Sequence, residues 1–453
     1  MSESKLIFLA VLNTSFIGPF MGSAINLAIP AMGETFAVSA NVLSWVVTAY
    51  LLGSVMVMLP IGRLADIMGR KKIYMIGVVF FILFTLLSGF AESVEFLIVC
   101  RWIQGMATAM IFSTGMAMII SVHKPEERGR VIGYSAAATY IGLSLGPMLG
   151  GIMTHFMGWR SIFFITAIVL GVSLWLILRV EKEWYGAQGE RFDILGTLYY
   201  GIASPGILYG CSTIATNHYA KYILIGCLLL GGLFVKRQMK YDSPIFDVKM
   251  FRGNTVFAMS NLAAMINYSA TFAIGFILSL YLQLIRGFDA PMAGLILLIQ
   301  PIVMAIFSPK AGALSDKMEP RIVASIGMGL NTIGLIFLAF LQEDTSLVWI
   351  GLDLMLIGLG FALFSSPNNN AIMGAVTPKY YGVAASALSA MRLSGQAVSM
   401  AIVTFMLSIY AMDTLSPDYL IHMLDSFQQI FIIFAFLCLL GVAASMARGD
   451  RDR

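Results

Sequence analysis

Gly62-Arg63-Leu64-Ala65-Asp66-Ile67-Met68-Gly69-Arg70-Lys71-Lys72 interrupts a chain that is otherwise overwhelmingly apolar. Four bases and one acid stand among glycines, directly after the apolar run Val42–Ile61 and directly before Ile73–Phe90. Glycines suit a tight turn between two helices, and an acid beside several bases can form a charge-paired latch. The stretch therefore reads as a polar hairpin between two apolar helices.

What those helices face follows from composition. Of 453 residues, 59% are hydrophobic and 11% charged, with a mean hydropathy of +0.86. An ordinary soluble domain is about a quarter charged. A water-soluble enzyme with a solvated surface is excluded, and lipid is the medium that such a chain can face. Stretches of about 20 apolar residues recur fourteen times: Leu6–Ala31, Val42–Ile61, Ile73–Phe90, Phe96–Ile120, Val131–Phe156, Ser161–Leu178, Ile194–Ile214, Tyr222–Val235, Thr255–Leu284, Met292–Phe307, Ile322–Leu341, Leu347–Val376, Val383–Tyr410 and Phe427–Ala447. Tyr222–Val235 is short unless it runs on to Gln238. No cleavable signal peptide is expected ahead of the first span.

Charge in the connections tests the count. Alternate connections, with Lys5 and the C-terminal tail, hold 23 of the 28 lysines and arginines, whereas the opposite connections hold only Arg160, Lys221 and Arg286. Positive residues stay on the cytoplasmic side, so an even number of crossings with both termini inside is expected. The 43 glycines and 30 methionines suit close helix packing in a membrane. Cys100, Cys211, Cys227 and Cys438 lie in apolar runs without metal-ligand spacing and read as small core residues. No metal site, nucleotide-binding glycine loop or nucleophile–base pair stands out, so no enzyme and no nucleic-acid partner is expected.

The order of residues in 62–72, with Gly62, Asp66, Gly69 and Arg70 at its key positions, resembles the signature loop of the major facilitator superfamily, and Gly312-Ala313-Leu314-Ser315-Asp316-Lys317 resembles a degraded second copy. Arg101-Trp102-Ile103-Gln104-Gly105 resembles the superfamily's intramembrane arginine motif, and the run containing Gly142, Gly146, Pro147, Gly150 and Gly151 resembles its exporter motif. Trp45 to Tyr50, Gly158 to Arg160, Tyr281 to Gln283, Pro367 to Asn369 and Arg392 to Gly395 resemble the fourteen-helix drug:proton antiporter branch. The resemblance implies an all-α integral membrane fold: a six-helix half over residues 1–180, two inserted helices with linkers over 181–253, and a second six-helix half over 254–453. It also implies halves that tilt about a central chamber. Glycines where two helices slide, and Pro147, which deletes a backbone hydrogen bond, fit such motion as well as ordinary close packing.

The first helix departs from the branch. Asn26, Ala28 and Pro30 match, but Ser23 replaces a threonine and Met21 stands where an acid is usual. Glu34, beyond Pro30, is expected outside.

Ionisable residues inside a bilayer cost roughly 2.5–3.5 kcal/mol or more and are functional candidates by default. Arg101, Asp353 and Arg392 qualify. Asp353, seven residues beyond Ser346, lies about 10 Å into its span. A carboxylate alternately dry and paired with an arginine could take up a proton on one side and release it on the other; a headgroup-level position is the alternative. Arg101 can fix helix carbonyls through its five donors, and its family counterpart is linked to proton transfer. Arg392 reads as a packing residue near the cytoplasmic side. Met21, Asn26, Tyr50, Asn261, Asn267, Tyr268, Gln300, Asn331, Asn368 and Arg392 are the candidate lining of a mixed apolar–polar cavity, with hydrogen bonding between helices as the other role open to each.

The expectation is a monomeric, proton-coupled exporter of amphipathic drugs in the cytoplasmic membrane of a prokaryote, with no cofactor but the proton as coupling ion. Export of one endogenous lipid-like molecule or metabolite, and a sensor or scaffold that has lost coupling, are the alternatives.

Overall fold

The computed structural model describes residues 3–448 except 124, 215–216, 247, 249–250, 252, 377–380 and 411–418. The order of elements is α1 (Glu3–Phe36), α2 (Ala40–Met68), α3 (Arg70–Gly89), α4 (Val94–Val122), α5 (Pro125–Met157), α6 (Arg160–Leu178), α7 (Ile194–Thr213), α8 (Ala220–Gln238), α9 (Thr255–Thr271), α10 (Ile274–Leu280), α11 (Ala290–Leu297), α12 (Ile299–Lys317), α13 (Pro320–Leu338), α14 (Leu347–Gly374), α15 (Tyr381–Tyr410) and α16 (Tyr419–Met446). Among the described residues, eleven helical stretches are long and apolar enough to cross a membrane; Thr255–Ile285 and Ala290–Ser315 each count as one. The helices α5, α7 and α8 are not among them. In α8 the reason is charge: its 19 residues include Lys221, Lys236 and Arg237.

Helices outrun the apolar spans because a helix continues through the interface until a cap or turn stops it. The short span at Tyr222–Val235 extends to Gln238. The long span Thr255–Leu284 is interrupted after Thr271 and passes into a π-turn at Tyr281–Ile285, where the Tyr281 hydroxyl donates to the Gln342 carbonyl at 2.6 Å. Side-chain caps mark several starts: the Ser93, Asn254 and Asp289 oxygens accept from the backbone of Phe96, Phe257 and Met292. Many large apolar side chains are exposed, Ile168 at 71% and Val348 at 70% among them. In a membrane protein that surface meets lipid instead of water.

The chain divides into two compact units. One comprises Met1–Ala37, Trp45–Ile207 and Ile223–Ile245; the other comprises Val38–Ser44, Leu208–Tyr222 and Phe246–Arg453. Within the first, α1 lies along α5 and α6, and α3 along α4 and α6. Within the second, α9 lies along α15 and α16, and α13 along α14 and α16. The same wiring thus recurs, as expected of an internal structural repeat.

Glycines set the closest approaches. A Cβ on Gly53 or Gly105 would stand 2.0 Å and 1.9 Å from the backbone carbonyl oxygens of Trp102 and Tyr50, pinning α2 to α4. In the second unit, a Cβ on Gly327 would meet the Gly360 carbonyl at 2.5 Å, pinning α13 to α14.

Candidate functional site

The loop quoted at the outset is a built junction. Gly69 has φ +111°, a conformation that L side chains rarely adopt, and it turns the chain sharply between α2 and α3. Asp66 and Arg70 form an ion pair at 2.8 Å, and Arg70 also donates to Ser121 Oγ on α4 at 3.0 Å. The linker after α6 docks onto this loop. Both Gly186 and Ala187 donate their backbone N–H to the Asp66 carbonyl at 3.0 Å, and Arg70 donates its own to the Trp184 carbonyl at 2.9 Å. The Glu183 carboxylate accepts the backbone N–H groups of Lys71 at 2.8 Å and Lys72 at 3.1 Å, at the open start of α3. An anion at a helix N-terminus satisfies orphan donors and the helix dipole together. Arg63 pairs with Glu190, and the Lys71 ammonium donates to the Val180 carbonyl. Any side chain at Gly186 would collide with Asp66, since a Cβ there stands 2.6 Å from Asp66 Oδ1.

Deeper in this unit, Arg101 is 1% exposed. It donates through Nε to the Val46 carbonyl at 3.1 Å and through Nη1 to Gln104 Oε1 at 2.7 Å, with its guanidinium 4.3 Å from the centre of the Tyr50 ring. Gln104 in turn donates to Thr85 and Ser88 of α3, and Tyr50 donates to Thr108. The arginine therefore ties α2, α3 and α4 together. Among the described residues no carboxylate forms an ion pair with it.

The exporter-like motif lies on the seam between α1 and α5. Added Cβ atoms at Gly142, Gly146 and Gly150 would stand 2.3 Å from the Phe16 carbonyl, 2.6 Å from Ser23 Cβ and 2.6 Å from Ala24 Cα. Hydroxyls stitch the same seam: Ser15 with Ser135 at 2.8 Å, Thr139 to the Ser15 carbonyl at 3.2 Å and Ser23 to the Leu143 carbonyl at 3.3 Å. Pro147 lies within α5 without ending it. Met21 is buried on α1, Asn26 is half-buried there, and Glu34 is exposed near the helix end.

In the second unit, Asp353 is 7% exposed, and neither carboxylate oxygen has a hydrogen-bonding partner among the described residues. It faces α13 at Gly334, where a Cβ would stand 3.0 Å from Oδ1. The absent side chain at Gly334 leaves that carboxylate its space. Nearby on α13, Asn331 donates to Asn267 Oδ1 of α9 at 3.1 Å, and both residues are fully buried. Asn368 donates to the Ser260 carbonyl at 3.2 Å, again joining α14 to α9, and Asn261 donates to the Phe257 carbonyl within its own helix. Tyr268 packs edge-on against Phe361, and the Arg392 guanidinium lies 5.2 Å from the Tyr268 ring centre. Arg392 thus stands within α15, packed against Tyr268 of α9. Gln300 is half-buried on α12.

Four residues stand outside the sequence expectations. Glu183 was indistinguishable from its neighbours Glu181 and Lys182 in a charged linker. Asp193, with its side chain fully buried, accepts from Gly196 N at 2.9 Å, Arg237 Nε at 2.8 Å and Gln238 Nε2 at 2.9 Å, and so knits α7 to α8. Arg448, counted among tail charges, is 2% exposed, its three guanidinium nitrogens have no partner among the described residues, and burial pulls its pKa down to about 10. Cys211 is exposed on α7, unlike the other three cysteines, because its helix turns that face outward. The side chains of Asp316 and Lys317, in the second loop copy, lie outside the described residues.

Known proteins resemble this chain in sequence and in fold. The riboflavin transporter RibZ of Clostridioides difficile is 28% identical, over 86% of this chain and 86% of its own. The multidrug resistance protein Stp of Mycobacterium tuberculosis is 29% identical, over 92% of this chain and 78% of its own. Among solved structures, an inward-facing bacterial homologue of the human lysosomal transporter Spinster superposes with a TM-score of 0.72 at 14% identity, covering 99% of this chain and 97% of that one. A D-xylose–proton symporter gives 0.70 at 14% identity, covering 98% and 97%. These two establish likeness of fold. The family model described as Major Facilitator Superfamily matches residues 11–400. The chain is a multi-pass membrane transporter of the Major Facilitator Superfamily, and not an enzyme.

Proposed function

We propose that this transporter is a proton-coupled antiporter that exports amphipathic drugs or similar hydrophobic molecules across the cytoplasmic membrane by alternating access. In this reading it is a monomer of the fourteen-helix drug:proton antiporter branch, α7 and α8 are inserted crossings between two six-helix halves, and both termini are cytoplasmic. The observation that carries the coupling is Asp353: a buried carboxylate without a hydrogen-bonding partner among the described residues, beside a glycine on the facing helix. Such a group is costly to leave charged and dry, and protonation relieves that cost. Multidrug resistance proteins among the relatives support the substrate class. A single buried acid without a hydrogen-bonding partner among the described residues suits monocationic, zwitterionic or largely hydrophobic cargo better than a dication.

The test is purified protein in liposomes with an imposed proton gradient, scored for several chemically unrelated fluorescent drugs. Gradient-driven uptake of many compounds, abolished in Asp353→Asn with gradient-independent exchange retained, is the expected result. Unchanged gradient-driven transport by Asp353→Asn removes that residue from coupling. A relative named as a riboflavin transporter favours a second reading, a carrier for one compound; transport of a single molecule across the panel would establish it.

A further inference from the structure

At one end of the α7–α8 pair lies a shallow, open cavity of about 360 Å³ lined by Tyr199, Leu233, Lys236, Arg237, Lys240 and Tyr241. Nothing in the transport reading uses it. Its charge is asymmetric. The Arg237 guanidinium is committed to buried Asp193 at 2.8 Å and lies 4.9 Å from the Tyr241 ring centre. Lys236 and Lys240, one helical turn apart and both exposed, form no ion pair among the described residues. The cavity therefore presents two ammonium groups that the local carboxylate does not neutralise, on a frame fixed by the Asp193 junction.

We propose that this cavity binds the anionic phosphate headgroup of a membrane phospholipid. A soluble phosphate would satisfy the same two ammonium groups, but the surroundings favour a lipid. Leu233 is part of the lining and is 47% exposed, and the faces that continue from it along the pair are apolar and exposed: Leu198 and Ile202 on α7, Leu229 on α8. Acyl chains can lie along these faces while the headgroup meets the lysines, with Tyr199 and Tyr241 at the level where amphipathic rings favour the interface. Basic pockets at the ends of membrane helices recognise lipid headgroups by this combination of charge and apolar flank. The inference does not depend on which compound is carried.

Native mass spectrometry of the full chain in detergent, titrated with phosphatidylglycerol or phosphatidylcholine, tests it. A surface lysine is worth about five-fold in affinity for an anionic lipid, so Lys236→Gln with Lys240→Gln should weaken phosphatidylglycerol binding by about thirty-fold. The control pair Lys221→Gln with Lys310→Gln removes the same charge elsewhere and should leave binding within two-fold. Both pairs are surface changes, and unaltered thermal melts verify that each variant is folded. Inorganic phosphate or glycerol phosphate, at the concentration of the lipid, should not displace it. Equal retention of phosphatidylcholine, equal loss in the control pair, or displacement by inorganic phosphate would each overturn the assignment, the last in favour of a soluble anion.

Discussion

Replacing Glu183 by glutamine should loosen the linker from the α2–α3 loop. In the native arrangement one carboxylate oxygen serves Lys71 N and the other Lys72 N, at 2.8 and 3.1 Å. Glutamine keeps one acceptor and turns its amide nitrogen, a donor, towards the second N–H. The change deletes one charge-assisted hydrogen bond, about 1.5–3 kcal/mol, and an anion at a helix N-terminus, about 0.3–1 kcal/mol. Glu183 is only half-buried and Lys72 is exposed, so solvent recovers much of this loss; a net about 1–2 kcal/mol remains, or about five- to thirty-fold in the docked population. Hydrogen–deuterium exchange reads the effect directly. Protection of the Lys71, Lys72, Gly186 and Ala187 amides should fall by that factor, while the middle of α3 keeps its wild-type rates. Glu181→Gln, two residues earlier in the linker and outside the junction, should change nothing. Unaltered protection in Glu183→Gln, or an equal loss in Glu181→Gln, refutes the capping role.

Asp193→Ala leaves Arg237 and Gln238 without their common acceptor; breaking a buried pair costs about 3–5 kcal/mol, and with Arg237 about a third exposed a loss of about 2–3 kcal/mol is expected in detergent melts. Adding Arg237→Gln should cost little more, whereas fully additive losses would show that the two residues do not act as a pair. Gly146→Val pushes a side chain into Ser23 and the Phe20 carbonyl, for an overpacking cost of about 1–3 kcal/mol or more; a variant as stable as wild type would mean that α1 and α5 are not held this closely. Arg101→Lys keeps the charge but not the fork, so either the Val46 carbonyl or Gln104 Oε1 loses its donor, at about 1–3 kcal/mol. The drop should be visible in melts without substrate, and wild-type stability in the lysine variant would reduce Arg101 to a point charge.

Much of the architecture was legible in the chain. Apolar runs long enough to cross a bilayer announce membrane helices. The helix over Tyr222–Val235 does run on to Gln238, but with Lys221, Lys236 and Arg237 in it, it is not among the eleven stretches of membrane-crossing length and apolarity among the described residues. The signature loop was readable because glycine and charge order there answers to a local turn: Gly69 needs its positive φ, and Asp66 reaches Arg70 within one helical turn. The buried asparagines were readable as inward-facing because lipid offers no partner to an amide. The glycine run 142–151 was readable as a site of close approach, although only the structure identifies α1 as the partner and Ser23, in the place of a threonine, as part of the seam.

Glu183, Asp193 and Arg448 were not legible. Glu183 and Asp193 looked like ordinary charges in a connection and Arg448 like one in the tail, because hydropathy treats such segments as solvated and interchangeable. The roles of Glu183 and Asp193 depend on which backbone donors or side chains stand opposite, from positions such as Lys71 and Arg237 that are distant in sequence. The neighbour of Arg392 was not legible for a related reason: its contact with Tyr268 is set by how α15 packs on α9, which hydropathy does not encode.

Taken alone, the amino-acid order determined the solvent and the helical class, since burial in lipid and helix hydrogen bonding depend on composition and local periodicity, while the family was indicated only by the resemblance of motifs such as 62–72. The tertiary structure decided which charges are junctions, which glycines are contacts and where the unpartnered carboxylate of Asp353 lies. Those outcomes rest on distances of a few ångströms between residues far apart along the chain, where short-range hydrogen bonds and steric contact dominate and no one-dimensional pattern carries the information.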